Sequence, residues 1–395
     1  MIYLDNNATT RVAPEVLEAM LPWLGDHYGN PSGGYRFGRE ARRAVDTARE
    51  QVAALIGAQA EEIVFTSGGT ESNNTAIRSA LTLHPDRRTL LSSTVEHSAV
   101  EEVLKHHEST GYALCLNPVD PQGRLDLDGW RSVLATGNVA LASLIWANNE
   151  TGVLSPLAEA AAIAAEEAGV YFHSDAVQAA GKIPLSVTDL PIQALSISAH
   201  KLHGPKGIGA LYLNRHARFC PQTLGGGQEN DRRSGTENVP AIIGFGVAAE
   251  LSTHHLAEMG EIERRRNAFE HGVIESLPDV VINGDPENRL PNTSNLYFPG
   301  VDGEGLLILL DEAGICCSPG SACSTGAVQP SRIVKAMGYS SSRARSSVRF
   351  SLSRFTTDGE IASAIAAIIK AVGKLRIVMP SGGNRVVSRP ASRQD

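Results

Sequence analysis

Short apolar runs alternate with amphipathic stretches through the middle of the chain. The runs predict strands at residues 62–65, 89–92, 139–146, 170–173, 194–198 and 209–213. Between them, residues 156–168 predict a helix, because this stretch opens with proline, is rich in alanine and ends before Gly169. Strands that alternate with helices favour a largely parallel sheet covered by its crossover helices. The pattern therefore predicts a large domain of the α/β class.

The two ends of the chain predict a second, smaller unit. Residues 1–4 predict an edge strand, and residues 261–275 a charged helix that links to this unit. Strands at 295–298 and 348–355 flank helices, and the helix predicted at 358–374 closes the fold. This mixture indicates a small α+β domain. Residues 380–395 are rich in Ser, Gly, Pro and Arg without an apolar period, which predicts a disordered tail.

The composition is that of an ordinary globular protein. The chain has 395 residues, of which 42% are hydrophobic and 20% charged, and its formal net charge is -8. This acidic balance argues against nucleic-acid binding. No apolar run approaches the roughly 18 residues of a membrane span, and the first ten residues lack the pattern of a secretory signal. We therefore expect a cytoplasmic protein.

The cysteines indicate reduced thiols. Five in so long a chain are the opposite of a disulfide framework. Cys316, Cys317 and Cys323 lie close in sequence, but no histidine or second pair of ligands stands near them at zinc-site spacing. A structural metal site is not expected there.

Three features in the α/β region together suggest a cofactor. Small residues at 66–72 join a strand to a helix, an arrangement that can bind phosphate but also occurs wherever a chain only needs to turn. Asp175 follows one apolar strand and Lys201 the next, at strand ends where ligands bind. A lysine there is ordinarily a solvated surface charge. A phosphate cradle, a carboxylate and a lysine are, however, the three anchors of pyridoxal phosphate.

Ten motifs occur in an order that resembles the cysteine desulfurases of the NifS/IscS type, and the resemblance spans roughly residues 2–376. The sequence at residues 146–151 and 235–238 is more similar to the NifS branch of this family, which supplies sulfur for nitrogenase clusters. The motifs are YLDNNATT (3–10), GNPS (29–32), TSGGTES (66–72), EH (96–97), NNETG (148–152), DAVQ (175–178), SAHK (198–201), RSGTEN (233–238), GSAC (320–323) and VRFSL (348–352).

The resemblance implies a fold-type I pyridoxal-phosphate enzyme that forms a homodimer. It implies a large cofactor domain at residues 14–255 with a mostly parallel seven-stranded sheet, and a small α+β domain made of residues 1–13 and 256–376. Residues 377–395 are left as a disordered tail. The implied substrate is L-cysteine and the implied sulfur acceptor is an iron–sulfur scaffold protein, without nucleic acid or membrane as a partner.

The same resemblance assigns roles position by position. Lys201 matches the lysine that binds the cofactor covalently, Asp175 the partner of the pyridine nitrogen, and Gln178 the contact of the ring hydroxyl. His97 matches the imidazole that stacks on the ring and moves protons; without the motif it would be an exposed residue at a helix start. The implied phosphate contacts are Gly69, Thr70, Ser198, His200 and, reaching across from the other subunit, Thr236; Asn149 and Arg349 are implied near the cofactor oxygen and the substrate carboxylate.

Arg349 occupies an alternating strand, and an inward arginine is costly unless it binds an anion, which the substrate carboxylate would supply. His173 could pack beside the cofactor edge, and its role stays open. Gly69 stands where the family often has alanine, a difference that leaves a backbone contact unaffected.

Cys323 most strongly distinguishes a desulfurase from an aminotransferase of the same fold, which needs no thiol there. The resemblance implies that its thiolate attacks the sulfur of the substrate and becomes a persulfide. Small residues around Cys323 predict a flexible loop, although Cys316, Cys317 and Pro319 replace the small residues usual before it. Family analogy also allows Cys323 as a ligand of an iron–sulfur cluster shared with a scaffold.

Two alternatives stay open at this point. A selenocysteine lyase or another carbon–sulfur lyase would use the same scaffold. A non-catalytic sulfur carrier or regulatory homologue is disfavoured by the intact Lys201, Asp175, His97 and Cys323. Cys316 and Cys317 end an apolar run, so that packing explains them.

Overall fold

We analysed a computed structural model that describes residues 1–167, 169–319 and 329–378. Its strands are β1 (Ile2–Tyr3), β2 (Ile63–Thr66), β3 (Thr89–Ser93), β4 (Ala113–Asn117), β5 (Val139–Ile145), β6 (Tyr171–Asp175), β7 (Ala194–Ser198), β8 (Gly209–Leu213), β9 (Val281–Ile282), β10 (Thr293–Tyr297), β11 (Ile315–Cys316) and β12 (Ser347–Ser351). Its helices are α1 (Pro14–Leu24), α2 (Arg36–Leu55), α3 (Gly69–Leu83), α4 (Ser98–Glu108), α5 (Leu127–Leu134), α6 (Leu157–Glu166), α7 (Val239–His255), α8 (Met259–Ser276), α9 (Gly303–Glu312), α10 (Arg332–Ala336), α11 (Ser341–Arg345) and α12 (Asp358–Val378).

A seven-stranded sheet in the order β2-β8-β7-β6-β5-β3-β4 forms the centre of the molecule. Strand β8 is antiparallel to both of its neighbours, and the other neighbouring pairs are parallel. The α/β class and the mostly parallel seven-stranded sheet are therefore confirmed. Strand β4 was not predicted from the apolar runs of the sequence. It is an edge strand that pairs with β3 and leaves Ala113 and Leu116 exposed. Such a strand lacks the buried run that marks its neighbours.

The remaining strands form two small sheets, built from the C-terminal region and the first strand of the chain. Strands β12, β10 and β9 are antiparallel in that order, and β1 pairs in parallel with β11. Their apolar cluster, which includes Leu4, Phe269 and Phe350, is separate from the clusters that cover the large sheet. The division of the chain at residue 255 stays a prediction.

Several predicted bounds need correction. The strand predicted at 348–355 ends at Ser351, because the Thr356 amide bonds back to the Ser353 carbonyl and turns the chain towards α12. Helix α12 continues to Val378 and thus includes Ile377, which the sequence assigned to the tail. The predicted helix at 156–168 is observed as α6, and Gly169 after it has φ of 79°, in the left-handed region that favours glycine. Residues 168 and 379–395 lie outside the described part.

Candidate active site

The turn between β2 and α3 forms the predicted cradle. Helix α3 begins at Gly69, so its first amide groups point towards the end of the sheet. A Cβ at Gly69 would lie 2.7 Å from the Val177 side chain, and a Cβ at Gly209 would lie 2.7 Å from the backbone of Gly68. The cradle therefore leaves no free room for side chains at either glycine. In this chain, glycine at position 69 has a packing reason that the sequence did not indicate.

Asp175 ends β6 and is buried below the cradle. One carboxylate oxygen accepts from the Asn73 amide at 2.7 Å, and the other from the backbone N–H of Val177 at 3.0 Å. Asp175 is paired in register with Ile145 of β5, which places it at the carboxyl edge of the parallel strands. Parallel strands open their ligand crevice at this edge. The carboxylate is thereby held in one orientation.

Lys201 lies in the short turn after β7, at the same edge of the sheet. Its Nζ donates to the backbone carbonyls of Asn7 and Ala8, the latter at 2.7 Å. Burial lowers the pKa of Lys201 to about 8, with a smaller contribution from the nearby Arg349, while Asp5 and Asp175 act in the opposite direction. A larger fraction of this amine is therefore neutral and nucleophilic than for an ordinary lysine.

His97 is both a helix-start residue and a residue of the site. It caps α4, and its Nδ1 accepts from the Ala99 amide at 3.1 Å. Its exposed ring faces the same cavity as Lys201. The walls of the cleft displace part of the water around His97, and this desolvation lowers the pKa of His97; Asp175 opposes this effect, and Lys201 adds to it. In the neutral ring, the cap places the proton on Nε2.

Glu96, next to His97, was not singled out by the sequence. It is 1% exposed, and its Oε1 accepts from Ser93 Oγ at 2.7 Å and from the Ile145 amide at 2.8 Å. Its Oε2 has no hydrogen-bond partner among the described residues. Burial raises the pKa of Glu96 to about 8, although these two donors oppose the rise. It is therefore largely a neutral carboxylic acid at neutral pH.

Arg349 on β12 already has an anionic partner. Its guanidinium donates to Asp5 Oδ1 at 2.7 Å and to the Asn149 carbonyl at 2.8 Å. Its Nε is buried and has no partner in the described part of the chain. The sequence expected the substrate carboxylate to supply the anion for this inward arginine. Asp5 supplies it first, and the remaining donors of Arg349 are left for a ligand.

The segment that contains Cys323 joins the site at both of its described ends. Ser318 exchanges backbone hydrogen bonds with Arg349, at 3.1 and 2.8 Å. Ser331 donates to the buried carboxylate of Glu150 and also caps α10. Cys323 itself, with the predicted flexible loop and the suggested cluster ligation, lies outside the described residues.

Cys316 and Cys317 behave as packing residues. Cys316 pairs with Tyr3 between β11 and β1, and Cys317 packs against the small C-terminal core. Burial raises the pKa of both thiols, and by more for Cys317. A raised pKa reduces the thiolate that acts as nucleophile or metal ligand. Within the described residues, no group of three or more His, Cys, Asp or Glu side chains could hold a metal ion.

Thr236 is the one described candidate that the structure does not bring to this cavity. It is exposed at a second cavity of about 220 Å³, which it shares with Thr66, Ser67 and Arg233. The sequence expected this threonine to act in the other subunit. A position away from the cavity of its own chain is compatible with that expectation.

His173 lies below the site rather than in it. Its ring bridges Ser143 Oγ at 2.9 Å and Ser196 Oγ at 3.0 Å, which joins the neighbouring strands β5, β6 and β7. Burial lowers the pKa of His173 to about 4. It is a neutral residue of the sheet interior, which answers the question that the sequence left open.

The described candidates fit pyridoxal phosphate. All of them except Thr236 surround one cavity of about 590 Å³, large enough for a cofactor with a small amino acid. The helix start at Gly69 suits a phosphate, the fixed carboxylate of Asp175 a protonated ring nitrogen, and Lys201 a covalent bond. The cavity is lined by Gly69, Thr70, His97, Asn149, Asp175, Gln178, Ser198, His200, Lys201 and Arg349.

Comparison with known proteins agrees with this site. Residues 2–363 match the family model for class-V aminotransferases. The chain is 49% identical to a cysteine desulfurase of Trichormus azollae, covering 96% of this chain and 95% of that protein. It is 47% identical to the cysteine desulfurase NifS of Azotobacter vinelandii, covering 98% and 97%. A solved NifS-like protein superposes with a TM-score of 0.89 at 34% identity, covering 95% of this chain and 100% of that one.

No helix of the described residues combines the length and the apolar character needed to cross a lipid bilayer.

The family model and the relatives extend over nearly the whole chain, and many of the residues that carried the resemblance surround one cavity that suits the cofactor of the family. The chain belongs to the class-V aminotransferase family and, within it, to the pyridoxal-phosphate-dependent cysteine desulfurases of the NifS type.

Proposed function

We propose that Lys201, Asp175, His97, Arg349 and Cys323 carry out the conversion of L-cysteine to L-alanine and enzyme-bound sulfur. The single observation that supports this proposal is the convergence of Lys201, Asp175, His97 and Arg349 on one cavity, although long stretches of chain separate them. Bound there, pyridoxal phosphate supplies a ring that withdraws electrons from the α-carbon of the amino acid. The remaining steps fall to the protein's own residues.

Each of these residues has a task that follows from its surroundings. Asp175, fixed by Asn73 and the Val177 amide, holds a protonated ring nitrogen. Lys201 provides the amine that binds the cofactor. His97 can donate a proton from Nε2, because Ala99 occupies its Nδ1.

Arg349 and Asn149, which both line the cavity, hold the substrate, Arg349 through N–H groups that Asp5 and Asn149 do not use. Gln178 contacts the ring hydroxyl, and Gly69, Thr70, Ser198 and His200 contact the phosphate. Burial lowers the pKa of His200 to about 4, so that it acts as a neutral contact.

Cys323 is proposed as the sulfur acceptor within the enzyme. Its thiolate attacks the sulfur of the substrate, an S–S bond forms, and the electron pair of the broken C–S bond passes to the carbon skeleton. That skeleton takes up a proton and leaves as L-alanine, while the persulfide stays on Cys323. The raised pKa values of Cys316 and Cys317 favour Cys323 for this role, since a buried thiol is a poor nucleophile.

We further propose a homodimer in which Thr236 completes the phosphate site of the partner. Two observations support it. Thr236 faces away from the cavity of its own chain, and one face of α1 exposes Leu17, Leu21 and Leu24 by 50%, 56% and 65%. Apolar side chains at this spacing form a stripe that a partner subunit would cover.

The proposal also includes the destination of the sulfur. The 47% identity with the Azotobacter vinelandii NifS supports a cytoplasmic role in building iron–sulfur clusters, nitrogenase clusters in particular, through a scaffold protein. Selenocysteine is the competing substrate. Turnover of L-cysteine and L-selenocysteine by the same preparation separates the two, and a large preference for selenocysteine would contradict the proposal.

Borohydride labelling tests the assignment of Lys201. Reduction of the yellow holoenzyme should bleach its visible band and fix the cofactor on the peptide that contains Lys201, and Lys201→Ala should not be labelled. Lys206 is an exposed lysine of the same region and serves as the control. A label on Lys206 or on Lys182 would contradict the assignment.

A further inference from the structure

A second lysine, Lys182, is buried behind the cavity, and the reaction as proposed does not use it. It is 7% exposed, and its Nζ donates to Gln178 Oε1 at 2.6 Å and to Asn7 Oδ1 at 3.1 Å. Both acceptors are uncharged amide oxygens. Among the described residues, no carboxylate forms an ion pair with this amine. Buried lysines normally have such a partner, so its placement needs an explanation.

The chain is shaped to place Lys182 there. After Asp175, the backbone makes a compact turn in which the Lys182 amide bonds to the Ala179 carbonyl and Lys182 comes to lie one turn after Gln178. Gly181 has φ of 70°, and a Cβ there would lie 2.6 Å from the Leu202 side chain. Glycine at this position therefore allows the turn to pack against Leu202 and directs Lys182 back under Gln178.

The Lys182 amine needs no charge to make its two hydrogen bonds. Burial lowers the pKa of Lys182 well below its ordinary value, and the neighbouring Lys201 and Arg349 lower it further. A neutral amine has two N–H groups, and the two amide oxygens accept both of them. The group can therefore be buried without a counter-ion.

The consequence concerns the orientation of the Gln178 amide. Its Oε1 faces the amine of Lys182, and its Nε2 donates to the Asn7 backbone carbonyl at 2.9 Å. A carbonyl only accepts, so reversing the amide would place two oxygens against each other and remove the acceptor that Lys182 meets. The second N–H of Nε2 remains for the cavity that Gln178 lines. Gln178 is thus set to be a donor, not an acceptor, towards a bound cofactor.

The same Asn7 carbonyl links this pair to the cofactor lysine, since Lys201 Nζ also donates to it. We propose that Lys182 is a positioning residue that fixes the Gln178 amide as a hydrogen-bond donor to the ring oxygen of the cofactor. Through this donor, Lys182 influences the pKa of the Lys201 nitrogen that is covalently linked to the cofactor. The inference rests on the proposed function, which places that oxygen opposite Gln178. The titratable and charged groups around Lys201, namely Arg349, Asp5, Asp175, His97 and His200, are left unchanged by a test at Lys182.

The test is a pH titration of the visible absorption band of the resting holoenzyme, together with the dissociation constant of the cofactor from apoenzyme. A donor to the ring oxygen stabilises its ionised form, so losing the donor should raise the pH midpoint. For Lys182→Met, which is unbranched, one atom shorter and has no donor, we expect a rise of about one pH unit and about tenfold weaker cofactor binding, the size of one hydrogen bond. Lys182→Gln, which retains an N–H, should lie between wild type and Lys182→Met. Lys206→Met, the control, should titrate as wild type.

The double variant separates positioning from a general structural effect. Because Lys182 acts through Gln178, Lys182→Met combined with Gln178→Ala should have the midpoint of Gln178→Ala alone. An unchanged midpoint in Lys182→Met, or shifts that add in the double variant, would overturn the proposal. If Lys182→Met does not fold, Lys182→Gln is judged by the same two criteria. Failure of the borohydride label to reach Lys201 would instead refute the proposed function, independently of Lys182.

Discussion

Replacing Arg349 with methionine should remove most of the enzyme's ability to recognise the carboxylate of its substrate. The guanidinium has five N–H groups; one donates to Asp5 and another to the Asn149 carbonyl, while the buried Nε–H has no partner in the described chain. Each of the two Nη atoms keeps a second N–H, and Arg349 lines the cavity, so this pair of N–H groups can bind a carboxylate with two charge-assisted hydrogen bonds. At about 1.5–3 kcal/mol each, they contribute about 3–6 kcal/mol, or roughly 10²- to 10⁴-fold in kcat/KM.

Cysteamine, which is cysteine without the carboxylate, makes the test specific. The kcat/KM for alanine formation from cysteine is compared with the kcat/KM for turnover of cysteamine. Wild type should prefer cysteine by roughly 10²- to 10⁴-fold. In Arg349→Met, that preference should fall to within about tenfold, because the lost contacts with Asp5 and Asn149 affect both substrates alike and only cysteine loses bonds to its carboxylate. Asp5→Asn is the matched control, since it keeps the guanidinium and should retain the preference. An undiminished preference in Arg349→Met would refute the assignment of the substrate site.

Four further predictions follow from the same site and its surroundings. Cys323→Ala should bind the cofactor and change its absorption spectrum when cysteine is added, but should release almost no alanine, whereas Cys316→Ala and Cys317→Ala should stay active. A persulfide found by mass spectrometry on Cys316 or Cys317 would contradict this. Mixing Lys201→Ala with Thr236→Ala chains should restore activity through one intact site in each mixed dimer, and proven mixed dimers without recovery would argue against a shared site. Because the pKa of Lys201 is lowered from 10.5 to about 8, covalent cofactor binding by apoenzyme should accelerate as pH rises and level off above about pH 8; a rate still rising steeply near pH 10 would indicate an ordinary lysine. Arg49→Met should lower the free energy of unfolding by about 3–5 kcal/mol, since it leaves the buried Glu229 without its bidentate partner; calorimetry that shows no loss would contradict this.

Sequence alone was sufficient for the elements whose signal is local. Buried strands such as β5 and β7 are continuous apolar runs, and the order of motifs along the chain predicted roles for Lys201, Asp175 and Gln178, which line one cavity. The edge strand β4 was missed from the runs because its half-exposed residues lack that signal. The strand predicted at 348–355 was too long, because the turn that ends it depends on a contact between Ser353 and Thr356.

The tertiary structure decided which residues share an environment. Asp5 and Arg349 are 344 residues apart in sequence, and their hydrogen bond depends on β12 lying beside the N-terminal segment. Glu96 is an ordinary acidic residue in the sequence, and only its burial beneath β5 keeps it protonated. Lys182 is linked to Lys201 only through Asn7, a residue of the N-terminal segment that accepts hydrogen bonds from both lysines. Burial and long-range hydrogen bonds depend on the packing of distant segments, so a local pattern contains no signal for them.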